Sequence, residues 1–163
     1  YSKNARLDIA PTRIDLEQLI RNTHEDLKFY EGTSVSLELI TRVSNSFYSD
    51  EKRLKSIVHN IMSNSVKYSD SEKSASWLRI EIVVNAEQCV MTFTDNGKGI
   101  APENQMRVFD MFYRATSDRS GSGLGLYIVK EMTERIGGSV HLHSTLGEGT
   151  TVTLVLPNLQ AAT

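Results

Sequence analysis

The chain has 163 residues, a formal net charge of -2 at pH 7 and a pI near 6.1. That is the length of one globular domain, without the basic field that would draw nucleic acid or an anionic membrane surface. An apolar fraction of 39% beside 23% charged residues excludes a disordered or fibrous chain.

The single Cys89 can form no intramolecular disulfide and sits in the apolar run Cys89-Val90-Met91, so it reads as a plain buried thiol in a reducing compartment. No stretch approaches the roughly 18 apolar residues of a membrane span. The opening Tyr1-Ser2-Lys3-Asn4 shows neither an initiator Met nor a signal-peptide core. The expectation is an excised piece of a larger protein, which could itself be a membrane protein.

In chain order, residues 1–13 mix polar groups with Pro11 and show no period, which suits a linker or an entering edge strand. From Asp15, the apolar residues Leu16, Leu19, Ile20 and Leu27 recur at helical spacing up to Gly32, with Asp15 and Gln18 in capping-box register. Residues 35–40 alternate as a strand, which the cluster Ser44-Asn45-Ser46 breaks. A second amphipathic helix runs from about Asp50 to Tyr68, its stripe made of Leu54, Ile57, Val58, Ile61, Met62 and Val66. A hairpin follows, with Leu78, Ile80, Ile82 and Val84 paired to residues 90–93. Then come a Gly-rich turn, a segment with paired Phe residues, a second Gly-rich turn opening a helix at 124–136, and a closing hairpin of 139–144 and 150–156. Helices alternating with antiparallel hairpins predict a two-layer α/β sandwich: one mixed, mainly antiparallel sheet with its helices on one face.

Four groups of residues carry candidate chemistry. On the second helix, Asn60, Asn64 and Lys67 fall at i, i+4 and i+7 and share a face apart from the apolar stripe. Neutral amide oxygens suit a hard divalent cation that keeps waters and phosphate oxygens, and Lys supplies a point charge for phosphate. A solvated helix face explains the same residues. Asp95-Asn96-Gly97-Lys98-Gly99-Ile100 places an acid at a strand end before a glycine turn, where it can accept from a purine exocyclic amine; a turn with no ligand reads identically. Phe109-Asp110-Met111-Phe112-Tyr113-Arg114 pairs two aromatics, read as a helical turn anchoring a loop, with an Arg able to fork onto phosphate oxygens. Ser120-Gly121-Ser122-Gly123-Leu124-Gly125-Leu126 sets free N–H groups at a helix start, where phosphate is favoured. Its glycine spacing is not that of a dinucleotide fingerprint.

In this order the four groups resemble the N, G1, F and G2 boxes of the sensor histidine kinase catalytic domain. That domain belongs to the Bergerat-fold ATP-binding superfamily with DNA gyrase, Hsp90 and MutL. The resemblance spans residues 13–158, with 1–12 as a linker from a dimerisation domain and 159–163 as a tail, and Gly147-Glu148-Gly149-Thr150 before the last strand fits it. It implies ATP and Mg2+ as ligands. Asn64 would be the magnesium ligand, Asn60 a second polar residue of that site, and Lys67 a phosphate contact. Tyr68 would lie beside the adenine and Asp95 would recognise its amino group. Gly97, Gly99 and Ile100 would shape that pocket, Phe112 would line it, and Gly121, Gly123, Leu124 and Gly125 would form the lid and its phosphate-binding end. Arg114 would face the γ-phosphate, completing a catalytic set of Asn60, Asn64, Lys67 and Arg114.

The ATPase branches of the superfamily carry a Glu general base four residues before the magnesium Asn, and here Asn60 stands there. Water activation is thereby disfavoured, and transfer to a protein side chain suits the residues better. The lid segment between Phe112 and Gly121 is short, and Ser120 stands where the family often has Gly.

The resemblance further implies a cytoplasmic domain of a phosphoprotein in two-component signal transduction. Its parent would be a homodimer, compatible with the inner membrane, and its partners would be its own phosphoacceptor domain and a response regulator, with no nucleic acid. His24-Glu25-Asp26-Leu27-Lys28 is similar to the start of the family's acceptor motif, but Phe29-Tyr30 replaces the expected small residue and Pro, so His24 is expected to be a helix-surface residue and the acceptor to lie elsewhere. His59 is expected to be structural or lid-adjacent, and His141 and His143 lack metal-ligand partners at zinc spacing. Two rivals stay open: a serine kinase of the anti-sigma type, and a nucleotide-binding scaffold without catalysis.

Overall fold

A computed structural model describes residues 9–111, 113 and 125–160. Helix α1 (Leu16–Glu31) starts where the Asp15 carboxylate accepts the Gln18 N–H at 3.0 Å. The capping box is only half made, because the Gln18 side chain turns forward to donate to Asn22 Oδ1 at 2.7 Å. Gly32, with φ of 62°, ends the helix by donating its N–H to the Lys28 carbonyl. Helix α2 (Glu51–Lys67) starts the same way on Asp50, whose side chain accepts from Arg53 N–H and also meets the Arg53 guanidinium.

A five-stranded sheet runs in the order β2-β4-β5-β7-β6, from β2 (Ser36–Val43), β4 (Trp77–Val84), β5 (Gln88–Asp95), β6 (Ser139–Thr145) and β7 (Gly149–Pro157). Only β2 and β4 are parallel; every other pair is antiparallel. The β4–β5 turn is closed by Asn85, whose Oδ1 accepts the N–H groups of Glu87 and Gln88. Strict alternation buries Leu78, Ile80, Ile82, Val84, Met91, Phe93, Leu154 and Leu156 toward the helices. The opposite face keeps Arg79, Glu81, Thr92, Thr153, His141 and His143. The predicted mixed, mainly antiparallel two-layer sandwich is borne out.

Strand β1 (Thr12–Arg13) falls at the end of the stretch read as a linker or entering edge strand, whereas two short elements escaped the sequence reading: its partner β3 (Tyr48–Ser49) and α3 (Pro102–Gln105). Two to four residues are too few to display a period. Strand β2 also runs three residues beyond the expected end, because its parallel register with β4 extends through Val43↔Val84.

The helix that bears the site is firmly seated. Leu54, Ile57, Val58, Ile61 and Met62 of α2 are each no more than 2% exposed, and burial of one such side chain is worth about 1.5–3 kcal/mol. Helix α4 (Gly125–Ile136) packs beside α2 and buries Val129, Thr133 and Ile136. Cys89 is fully buried, and desolvation pushes its thiol up to about 12. It is therefore an inert apolar group, as its sequence context suggested. No helix among the described residues is long and apolar enough to cross a membrane.

Candidate functional site: an acid, a glycine turn and an amide face

The apolar stripe of α2 fixes which residues look away from the core. Asn60 and Asn64 are half-buried and Lys67 is exposed at the helix end. The Asn60 amide donates to the Ser56 carbonyl at 2.7 Å, which leaves its Oδ1 to point elsewhere. That oxygen faces α4: a Cβ on Gly125 would lie 3.6 Å from Asn60 Oδ1 and 3.3 Å from Asn64 Oδ1. Two neutral carbonyl oxygens thus converge beside the first residue of a helix. This donor set fits Mg2+, which takes few protein ligands and retains waters and phosphate oxygens. Among the described residues, no three His, Cys, Asp or Glu side chains gather as an alternative metal site.

Asp95 ends β5 on the far side of α2's last turns. Its Oδ1 accepts the N–H groups of Gly97 at 2.9 Å and Thr150 at 3.2 Å. Its Oδ2 lies 3.2 Å from the hydroxyl of Ser65, the residue after Asn64. Burial raises the carboxyl above the ordinary Asp range, opposed by the Gly97 and Thr150 N–H groups, the Ser65 hydroxyl and the nearby Lys73 cation.

The turn after Asp95 is compressed between two neighbours. On one side the Lys98 N–H donates to the Tyr68 carbonyl at 3.0 Å, and a Cβ on Gly97 would approach that same carbonyl to 2.5 Å. On the other side Gly99, with φ of 71°, leaves no room: a Cβ there would stand 2.1 Å from the Thr145 carbonyl oxygen. The Ile100 N–H donates to Ser144 Oγ at 2.7 Å, and Ser144 Oγ in turn donates to the Gly149 carbonyl at 2.9 Å. Glycine is required at 97 and 99 because backbone occupies the space a side chain would need.

The structure therefore brings together Asn60, Asn64, Tyr68, Asp95, Gly97, Gly99, Ile100 and Gly125, with Lys67 at the mouth of the same helix end. Phe112, Arg114, Gly121, Gly123 and Leu124 lie outside the described residues. In the F-box segment, Tyr113 donates to Asn104 Oδ1 at 2.6 Å, and the Arg107 guanidinium sits 4.6 Å from its ring centre.

Sequence reasoning missed four supports. Lys73, in a polar loop without pattern, donates to the carbonyls of Asn96, Gly97 and Glu148 at 2.7, 3.1 and 3.2 Å. Asn96 bridges the Trp77 N–H and the Ala75 carbonyl. Ser65 and Thr150 hold Asp95; Asn96 and Thr150 stood in noted motifs without these roles, and Lys73 and Ser65 stood in none.

The histidine readings change in detail. His24 is not a plain surface residue, because Nε2 shares a hydrogen bond with the Val35 carbonyl at 3.0 Å and ties α1 to the start of β2. His59 is exposed on the side of α2 that faces α1, in a groove with Asp15, Asn22, Asp26 and Lys55.

A mixed sheet roofed by helices, with an acid and a glycine turn at one strand end and amides on the neighbouring helix, defines a nucleotide-binding domain. Residues 49–160 match the family described as histidine kinase-, DNA gyrase B- and HSP90-like ATPase, and the chain belongs to that family. It is 32% identical over 158 residues to the histidine protein kinase SaeS of Staphylococcus epidermidis, covering 90% of this chain and 43% of that protein. It is 36% identical over 112 residues to the sensor protein SrrB of Staphylococcus aureus, covering 66% of this chain and 19% of that one. Among solved structures, a mycobacterial sensor histidine kinase, MprB, superposes with a TM-score of 0.73 at 26% identity over 90% of this chain and 97% of that chain. Full-length ShkA, in complex with AMPPNP, superposes with a TM-score of 0.77 at 24% identity, covering 95% of this chain and 33% of that one, and shows the fold alone. The expected ATP-binding domain of the sensor histidine kinase type is thereby borne out.

Proposed function

We propose that this domain binds Mg2+-ATP and transfers the γ-phosphoryl group to a histidine on a separate dimerisation domain of the same protein, from which a response regulator receives it. Asp95 would accept from the adenine amino group, with Gly97, Gly99 and Ile100 shaping the pocket beside Tyr68. The triphosphate would run along α2 toward Lys67, with Gly121, Gly123, Leu124 and Gly125 as the lid and its phosphate-binding end, Phe112 lining the adenine pocket and Arg114 meeting the γ-phosphate. Asn64, assisted by Asn60, would hold the metal, which when bound offsets charge on the phosphate oxygens.

The observation that carries this reading is the pairing of a fully braced Asp95 with two uncharged amide oxygens on α2. With Asn60 engaged to a backbone carbonyl, that position holds no carboxylate to deprotonate a water. The reaction then needs an acceptor that is already nucleophilic. An imidazole nitrogen forms the bond to phosphorus as the bond to the β–γ bridging oxygen breaks, ADP leaves with that oxygen, and the ring's other nitrogen releases its proton. The protein's part is positioning and charge compensation, the usual way phosphoryl transfer is catalysed.

The chain spans less than half the length of the curated relatives named above, so the parent's homodimeric state, cytoplasmic placement of this domain and attachment to an inner membrane are part of the proposal. The test supplies γ-labelled ATP and the relatives' type of phosphoacceptor domain in trans. Acid-labile, base-stable label on the acceptor, lost in Asn64→Ala, is the expected result. Acid-stable label on a hydroxyl would favour the serine kinase, and no label with intact nucleotide binding would favour the scaffold.

A further inference from the structure

Asp95 Oδ1 already accepts two backbone N–H groups, from Gly97 at 2.9 Å and Thr150 at 3.2 Å. A carboxylate oxygen has about two lone-pair sites, so a ligand donor has to use Oδ2. That oxygen is also the one Ser65 reaches, at 3.2 Å. Ser65 is 6% exposed, on a helix anchored at Ile61 and Met62, which are 2% and 0% exposed. Its hydroxyl has one proton and two acceptors in range, Asp95 Oδ2 and the Ile61 carbonyl at 3.3 Å.

We propose that Ser65 is a positioning residue for base selection: by donating to Oδ2 it fixes the plane of the Asp95 carboxylate and leaves one lone pair aimed at the base. A purine with an exocyclic amine donates to that lone pair. A purine with an oxo group in the same place sets oxygen against carboxylate, and a carboxylate held by Ser65 cannot rotate to relieve the contact. Ser65 therefore widens the preference for amino over oxo purines without touching the phosphates. The inference rests on the base-recognition role given to Asp95 above.

The test measures affinity of this chain for ATP and for inosine triphosphate by competition, in the native protein, Ser65→Ala, Ser65→Thr and Asp95→Asn, with thermal midpoints alongside. The expected result is a loss of roughly fivefold in ATP affinity for Ser65→Ala, the weight of one hydrogen bond, with inosine triphosphate unchanged. Ser65→Thr should retain the ATP preference. In a transfer assay with a supplied acceptor domain, KM for ATP should rise and kcat stay fixed. A parallel loss for both nucleotides in Ser65→Ala, or an unchanged preference there while Asp95→Asn abolishes it, would overturn the role of Ser65 alone. An unchanged preference in Asp95→Asn would overturn the reading of Asp95 and this inference with it.

Discussion

At the Asp95 end of the site nearly every contact is backbone or a side chain pinned by backbone, whereas at the amide end the groups proposed to hold the metal and phosphates are side chains beside helix α4. Asp95 is fixed by Gly97, Thr150 and Ser65, and its turn is wedged between the carbonyls of Tyr68 and Thr145. Asn60 has a single backbone tie, from its amide to the Ser56 carbonyl, its Oδ1 and that of Asn64 face the space beside Gly125, and Lys67 stands in solvent. One end is preorganised before ligand arrives, and the other can adjust to an ion and a phosphate chain. The difference predicts that base recognition fails abruptly on mutation and metal recognition fails gradually.

The most severe break of that comparison is Asp95→Asn. It turns a charged acceptor into an amide that cannot satisfy two N–H groups and a base amine together. The expected loss is about 2–3 kcal/mol of nucleotide affinity, roughly two orders of magnitude, by calorimetry with a non-hydrolysable analogue. Acid should act in the same direction. Burial raises the folded-state pKa of Asp95, so protonation favours the fold, and this residue's contribution to stability is present below its unfolded pKa and lost as pH rises through the folded one. Under the proposed function nucleotide binding needs the carboxylate and runs the other way. Affinity should therefore fall at a pH above the ordinary Asp range while circular dichroism still reports a folded chain; coincident loss of both would show that Asp95 is not the group responsible.

Next in size is a contrast between two glycines with left-handed backbones. Gly32 and Gly99 have φ of 62° and 71°, but a Cβ on Gly32 meets nothing within 4 Å, while one on Gly99 would press on the Thr145 carbonyl at 2.1 Å. Gly32→Ala should cost about 1 kcal/mol from the backbone alone, and Gly99→Ala about 2–3 kcal/mol more once strain and displacement are added. For a domain of this size that is a further drop of roughly 4–12 °C in thermal midpoint. Equal drops would mean that the turn yields and that the Asp95 end is softer than its contacts imply.

These contrasts also mark what the sequence made legible. The stripe on α2, the β4–β5 hairpin and the acid before a glycine turn follow from period and turn chemistry within a few residues, so the helix, strands and Asp95 could be read directly. The braces on Asp95 could not, since Ser65 and Thr150 stand 30 and 55 positions away in the chain. No local pattern announces which distant hydroxyl or N–H will meet a carboxylate. The parallel register of β2 on β4 is likewise a tertiary choice, as either strand alone reads the same in parallel or antiparallel pairing.

A smaller effect is expected at Lys73, whose ammonium ties Asn96 and Gly97 to Glu148 across two turns. Lys73→Met keeps the stem and removes three donors from partly exposed carbonyls. Nucleotide affinity should drop by about fivefold to tenfold, the value of about 1–1.5 kcal/mol, equally with and without magnesium. Because Lys73 also lowers the Asp95 pKa, the acid limb of binding should move to higher pH in the variant. An unmoved acid limb with weakened affinity would confine Lys73 to holding the turns together.

The mildest change tests the adaptable end. A methyl on Gly125 would stand 3.3 Å from Asn64 Oδ1 and 3.6 Å from both Asn60 Oδ1 and Asn64 Nδ2, a tight contact but one made by side-chain atoms that can turn aside. Gly125 belongs to helix α4, and alanine is the better helix former by about 1 kcal/mol. Gly125→Ala should therefore leave the thermal midpoint equal or slightly higher and reduce only the magnesium-dependent part of nucleotide affinity, by about threefold or less, an effect under 1 kcal/mol. Loss of all nucleotide binding in this variant would mean that the amides are held as rigidly as Asp95, and the contrast between the two ends would collapse. A loss confined to the magnesium-dependent part would place the metal between α2 and the first turn of α4.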